Sequence, residues 1–126
     1  MPSKKIVEAF IATVVSGKHV GAIERFYAPH ATMQENLNPP RRGLENLVAN
    51  ERAALARQKE IATRPVDFYA IDGDRVVIHW IFDFTTLDGR RFALDEISLQ
   101  RWENDKIVEE RFYYDPAQFR VAGPES

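Results

Sequence analysis

The segment RVVIHWIFDFTTLDGRRFALDEISLQRW, residues 75–102, leaves room for little other than a long β-hairpin. Aromatic and β-branched residues fill both halves, apolar and polar side chains alternate at a period of two, and Asp88-Gly89 between the halves is turn chemistry. A hairpin is not stable alone in water, so the rest of the chain must cover at least one of its faces. With Asp88-Gly89 as a two-residue turn, Leu87 pairs with Arg90, which sets Asp83 opposite Leu94, Ile81 opposite Glu96 and His79 opposite Ser98. One face then carries His79, Ile81, Asp83, Thr85, Phe92, Leu94, Glu96, Ser98, Gln100 and Trp102. The other carries Trp80, Phe82, Phe84, Asp95, Ile97, Leu99 and Arg101. Neither is purely polar, so both are expected to be covered.

The cover comes from the N-terminal half, where the apolar period is helical. Ser3 can cap a helix whose stripe is Ile6, Val7, Phe10, Ile11, Val14 and Val15, and Gly17 is placed to end it. A shorter helix, Val20 to Tyr27, stops before Pro29. ATMQE (31–35) predicts a brief strand that opens into the breaker-rich loop NLNPPRRG. A third helix runs from Leu44 to about Lys59, its apolar side interrupted by Asn50 and Glu51. After Ile61 the pattern is that of strands: RPVDFYAI, a turn at Asp72-Gly73, the long hairpin, a turn in ENDK, and IVEERFYY. Helices first and an antiparallel meander afterwards argue an α+β fold, one domain over residues 1–126 with a loose tail from about 120 (VAGPES).

Charge and composition exclude several function classes. The 17 basic and 19 acidic residues of the 126 are mixed along the chain and leave a net charge of −2, so there is no footprint for nucleic acid. Without cysteine there is no disulfide, thiolate nucleophile or cysteine-built zinc site. The N-terminal apolar stretch is helically spaced and interrupted by Glu8, and no run is long enough to span a membrane, so a soluble cytoplasmic domain with no membrane partner is expected. No nucleotide-binding motif occurs, and no cofactor is expected.

Helix, short helix, FYAPHATMQENLNPPRRG, third helix, then a meander ending GRRFALDEISLQRWENDKIVEERFYYDP resembles the SnoaL-like and ketosteroid-isomerase-like branch of the nuclear transport factor 2-like superfamily. The resemblance implies a cone-shaped curved antiparallel sheet, three N-terminal helices covering its concave face (a cystatin-like α+β barrel), and a pocket between them. It also implies a homodimer through the convex face. Laid over ketosteroid isomerase, the general-base carboxylate falls on Glu35, the oxyanion-binding aspartate on Ser98 and the tyrosine of the first helix on Ile11. Against limonene-epoxide hydrolase, NPPRRG and RFYYDP resemble the loop and last strand. There the final-strand aspartate falls on Phe112, and the tyrosine and asparagine beside the loop on Met33 and Glu35. Because Ser98 falls on a pocket position, the face with His79, Asp83, Glu96 and Gln100 should be concave. The ladder Trp80, Phe82 and Phe84 should then lie outside with Ile97 and Leu99, as a patch for a second subunit to bury.

The candidate catalytic residues are therefore Glu35, His79, Asp83, Glu96 and Ser98. Glu35 would remove or relay a proton, and His79, Ser98 or Tyr114 would hydrogen-bond the developing oxyanion. Asp83 and Glu96 either form an acid/base pair with His79 or sit solvated at the rim. His79 is a lone histidine without ligand spacing to another, which favours hydrogen bonding over a metal, and no metal is expected. Glu109, Glu110 and Arg111 suggest a cross-strand ion pair. Tyr113 and Tyr114 alternate, and alignment places Phe112 and Tyr114 inside. Ile11, Phe26, Asn50, Ile81, Gln100, Trp102, Phe112 and Tyr114 are the expected small-molecule-binding residues. The function implied is cofactor-free acid/base chemistry of the isomerase, cyclase or epoxide-hydrolase type on a small apolar oxygen-bearing substrate. The alternative is a binding or dimerisation module of the same fold without turnover.

Overall fold

The computed structural model describes residues 1–120, so the VAGPES tail lies outside the described residues. Ser3 starts the first helix, α1 (Lys4–Val15), by accepting the Ile6 amide on its hydroxyl at 3.2 Å, and Gly17 turns the chain away at φ +91°. Helix α2 (His19–Phe26) passes directly into strand β1 (Tyr27–Glu35), longer at its N-terminal end than ATMQE. The short β2 (Arg41–Arg42) folds back on β1 before α3 (Leu44–Ala56).

Helix α3 stops at Ala56, because Gln58–Thr63 instead forms a strand, β3, along the hairpin. Its Gln, Lys and Glu are good helix formers, and backbone pairing with an open sheet edge overrides that local preference. Strands β4 (Tyr69–Asp72), β5 (Arg75–Thr86), β6 (Arg91–Glu103) and β7 (Lys106–Tyr113) follow, then a 3-10 helix, Pro116–Phe119. The sheet order is β2-β1-β7-β6-β5-β3, with β4 also on β5. The sheet is mixed rather than antiparallel throughout, because β1 lies parallel to β7. The rest is antiparallel, and the result is an α+β fold with three helices over a curled sheet. No helix of the described residues is long and apolar enough to cross a membrane.

The hairpin register departs from the two-residue turn by one position. Thr86 and Arg90 close a three-residue loop, the Thr86 amide donating to the Arg90 carbonyl at 2.7 Å, with Gly89 at φ +88°. Trp80 therefore faces Glu96, Phe82 faces Leu94 and Ile78 faces Ser98. A one-residue slip sends every side chain to the opposite face. The ladder Trp80, Phe82, Phe84 thus points inward with Leu94, Glu96, Ser98 and Gln100, while His79, Ile81 and Asp83 point outward with Asp95, Ile97 and Leu99. This removes Trp80, Phe82 and Phe84 from the convex patch on which the dimer was argued.

Phe10 of α1 is the hub of the core, meeting Phe26, Tyr27, Trp80 and Trp102 edge-on at 5.5–6.2 Å between ring centroids. Val7, Val76, Ile78 and Ile107 close the packing around it. By contrast α3 buries only Leu47 and Val48 fully. The residues that interrupt its apolar side, Asn50 and Glu51, border a cavity instead of packed core.

Candidate active site

Between the concave sheet and the three helices lies a cavity of about 360 Å³. Its walls are largely aromatic: Phe10 from α1, Trp80, Phe82 and Phe84 from β5, Phe112 from β7 and Phe119 from the 3-10 helix. Four carboxyl side chains also border it, Glu35 of β1, Glu51 of α3, Glu96 of β6 and Glu110 of β7. Carboxyls in an apolar cavity need partners or protons, and the four are treated differently.

Glu35 is fully engaged. One oxygen takes an ion pair from Arg41, and the other accepts the Tyr114 hydroxyl at 2.8 Å. Burial and the Glu35 contact hold the Tyr114 phenol well above its ordinary value. Glu110 is the deepest of the four, at 3% exposure. It accepts from the Tyr27 hydroxyl and from Gln100 Nε2 (2.7 Å), and Gln100 in turn takes the Trp102 indole N–H at 2.9 Å. Burial pushes the Glu110 carboxyl up to about 7 against the pull of these donors.

Glu96 has no such support. It is 7% exposed, borders the cavity, and makes no hydrogen bond or ion pair with any described residue. Burial first, then the nearby Glu110, Glu35 and Glu51, push its carboxyl up to about 8. Glu51 is raised mainly by burial and also by Glu35, with Arg41 opposing. The nearest base to Glu51 is His19 Nδ1 at 3.9 Å, and burial lowers that imidazole so that it stays neutral.

Of the expected site residues, the fold brings Glu35, Glu96, Asn50 and Phe112 onto the cavity wall, with Tyr114 joined through Glu35. Ser98 and Gln100 are on the inner face but wholly buried behind the wall, Ser98 accepting the Trp80 indole N–H at 3.0 Å. Ile11, Phe26 and Trp102 belong to the packed core and do not border the cavity. His79, Ile81 and Asp83 are on the opposite face because of the three-residue loop, which separates His79 and Asp83 from Glu96. Asp83 there takes a two-point ion pair from Arg64, both contacts 2.7 Å, which lowers its carboxyl.

His79 is held between two carboxylates, Nδ1 at 2.8 Å from Asp67 and Nε2 at 2.7 Å from Asp95. Only the imidazolium can donate at both nitrogens, and the Asp67 and Asp95 contacts raise its pKa above 6.5. The folded-state pKa is raised, so the stability it contributes is complete below 6.5 and is lost as pH rises through the higher folded value. Histidine NMR titration should show His79 deprotonating at higher pH than His19. The amides of residues 64–68 should shift with it.

Glu51, Glu110, Arg41, Tyr27 and His19 were not expected at the site. Glu110 had a signal, since it lies two residues before Phe112 and so shares its face. Only Glu109 makes the expected cross-strand ion pair, with Arg101. Glu51 had one too, as a charged residue interrupting an apolar helix face. His19 had none, because its partner Thr63 is 44 positions away.

A model of the SnoaL-like domain matches residues 7–110. No curated protein matches the chain. Among solved structures, one from Mesorhizobium loti, provisionally assigned as a SnoaL-like polyketide cyclase, is 26% identical with a TM-score of 0.76, covering 90% of this chain and all of its own. A protein of ketosteroid-isomerase-like fold from Catenulispora acidiphila, in complex with trimethylamine, is 19% identical with a TM-score of 0.77, covering 92% of this chain and 89% of its own. TerC, co-crystallised with polyporic acid, is 16% identical with a TM-score of 0.78, covering 91% of this chain and 92% of its own.

Proposed function

The chain belongs to the SnoaL-like domain family, and on that premise we propose that it catalyses cofactor-free proton transfer on a small, largely apolar, oxygen-bearing molecule held in the cavity. Glu96 carries this reading: it is a buried carboxyl with no protein partner, poised to about 8, on the wall of an aromatic chamber. At neutral pH it mostly keeps its proton and can donate it to a carbonyl or epoxide oxygen. The carboxylate left behind is poorly solvated and strongly basic, so it can take a proton back from carbon. Isomerisation and ring closure both need that pair of steps.

Glu35 takes a different part from the general base expected of it. Both its oxygens are occupied, so it acts as a fixed anion that holds Arg41 and the Tyr114 hydroxyl in place. Ser98 is spent on Trp80 and is assigned no part in the chemistry. The provisional polyketide cyclase assignment of the Mesorhizobium loti protein agrees with this class of reaction.

The test is deuterium exchange in heavy water at the carbon beside the carbonyl of 2-tetralone, an enolisable fused-ring ketone, followed by NMR. The protein should accelerate exchange over buffer, and Glu96→Gln should slow the catalysed rate by about 100-fold or more. Equal rates for the two proteins would remove Glu96 from the chemistry. No acceleration at all would favour a second reading, ligand binding without turnover, which the full engagement of Glu35 supports.

A further inference from the structure

The cavity is short of positive charge. Four carboxyls border it, and the arginines that do so are Arg41 and Arg57. Arg41 is taken by Glu35, and Arg57, at the C-terminal end of α3, is exposed to solvent. Among the described residues no lysine or arginine lies within 4.0 Å of Glu51, Glu96 or Glu110, and the imidazole beside Glu51, His19 at 3.9 Å, is held neutral by burial. Two of its hydrogen-bond donors, the Tyr27 hydroxyl and the Trp80 indole N–H, are spent on Glu110 and Ser98, while the Asn50 amide on the wall has no partner among the described residues. Glu96 is the buried carboxyl on the wall without a partner, and it accepts hydrogen bonds once ionised. The Gln58 carbonyl oxygen is unpartnered too, but it is fully enclosed and out of reach of a ligand in the cavity. Trp80 and Phe82, stacked at 5.7 Å, line the same cavity with Phe84 and Phe112.

A neutral hydrocarbon would fill such a cavity and leave its acceptors unpaired, whereas an anion would meet the carboxyls. A protonated amine supplies both missing elements, positive charge and N–H donors, and its alkyl part packs on rings whose π faces attract cations. From the unpaired Glu96 carboxyl in this cavity lined by aromatic rings and further carboxyls, we infer that its ligand carries a small organic ammonium group in addition to its oxygen function. The inference rests on Glu96 as the titrating group of the proposed chemistry, though not on turnover. It adds a consequence: the bound ammonium ion stabilises the Glu96 carboxylate, whose proton leaves to solvent. With such a ligand the order of the two proton transfers is reversed: Glu96 first takes a proton from carbon as the carboxylate and then returns it as the acid. The groups that face Glu96 and share in this are Glu110, Glu35 and Tyr27 on the sheet, with Arg41 of β2. From the helices come Glu51, Arg57 and His19.

Cyclohexylamine and cyclohexanol, near-isosteres of which only the first is a cation, separate charge from shape. Calorimetry at pH 8.5 should show the amine, whose ammonium pKa is close to the lysine value of about 10.4, binding roughly 10-fold or more tighter than the alcohol. The preference should shrink toward unity at pH 5.5, where Glu96 holds its proton. At pH 7, buffers of different ionisation enthalpy should reveal about one proton released per amine bound. Glu96→Gln should abolish the preference while keeping cyclohexanol binding. Glu51→Gln, should the first variant fail to fold, should weaken it. Equal affinity for the two compounds at pH 8.5, a preference unchanged by pH, or no binding of either at about 10 mM would overturn the inference. The tetralone exchange keeps the two ideas apart, since an amine preference without exchange leaves this inference standing and removes the catalytic one. Exchange without a preference does the reverse.

Discussion

Glu96→Gln should raise the melting temperature markedly at pH 8.5 and barely move it at pH 5. The folded-state pKa of Glu96 is about 8 against an ordinary 4.5, so between those values the folded protein holds a proton that the unfolded chain has lost. Stability therefore falls as pH rises from 4.5 and levels off above about 8. Over that window the loss from this one group is on the order of 5 kcal/mol. Glutamine has the shape of the protonated acid and cannot ionise in either state, so it escapes the loss and should restore most of it at pH 8.5. Glu110, raised to about 7, adds a loss of the same sign that ends at lower pH. Its replacement by glutamine should gain less, because Tyr27 and Gln100 donate to it and lose a charged acceptor. Thermal unfolding across pH 5 to 9 checks this. A wild-type curve that keeps rising through pH 8, or a Glu96→Gln protein no more stable there than the parent, would mean that Glu96 is hydrated or paired in solution.

Such a group is a poor candidate for stability and a good one for chemistry. A carboxyl retained at several kcal/mol of expense, on a cavity wall and without a partner, is what the proposed proton transfer requires. Glu110 shows the contrast. It is as deeply buried, yet it is tied into the Tyr27, Gln100 and Trp102 chain and helps to fix the lower part of the sheet.

What could be read from the sequence was what depends on neighbours a few positions away. Ser3 and Gly17 bound α1 because a cap and a left-handed glycine act within one turn of helix. The order of elements and the α+β class followed from the change of period near residue 60. Glu35 and Glu96, both of which border the cavity, were named as candidates by two different routes. Glu35 came from the family resemblance alone. Glu96 was placed on the inner face together with His79 and Asp83, and only Glu96 is there. The hairpin could be registered through either a two-residue or a three-residue loop at Leu87-Asp88-Gly89, and both are good turn chemistry. That count fixed the β5 residues relative to those of β6, so the error exchanged Trp80, Phe82 and Phe84 for His79, Ile81 and Asp83. The β6 set stayed where the resemblance had put it. The His79 clamp was beyond reach for another reason: Asp67 lies in the link between β3 and β4, and β3 itself was hidden under helix-forming residues.

The register makes Trp80→Ala the largest single loss of stability expected on the hairpin. Trp80 is 2% exposed, meets Phe10 edge-on at 6.0 Å, stacks on Phe82 and donates its indole N–H to Ser98. Truncating it removes a large buried surface and also takes away the donor to a wholly buried hydroxyl. The expected loss is about 3 to 5 kcal/mol, read as a lower urea midpoint at unchanged slope. Trp80→Phe separates the two causes, because it keeps a ring in the core and removes only the donor. It should lose about 1 to 3 kcal/mol for the lost donor to Ser98 together with the smaller ring. With the two-residue turn the same side chain would lie on the convex face, and truncation would cost little in a monomer. The Ala variant at small cost would therefore reverse the facing of the whole hairpin. It would return His79 and Asp83 to the cavity and leave Glu96 with two neighbours it does not have here.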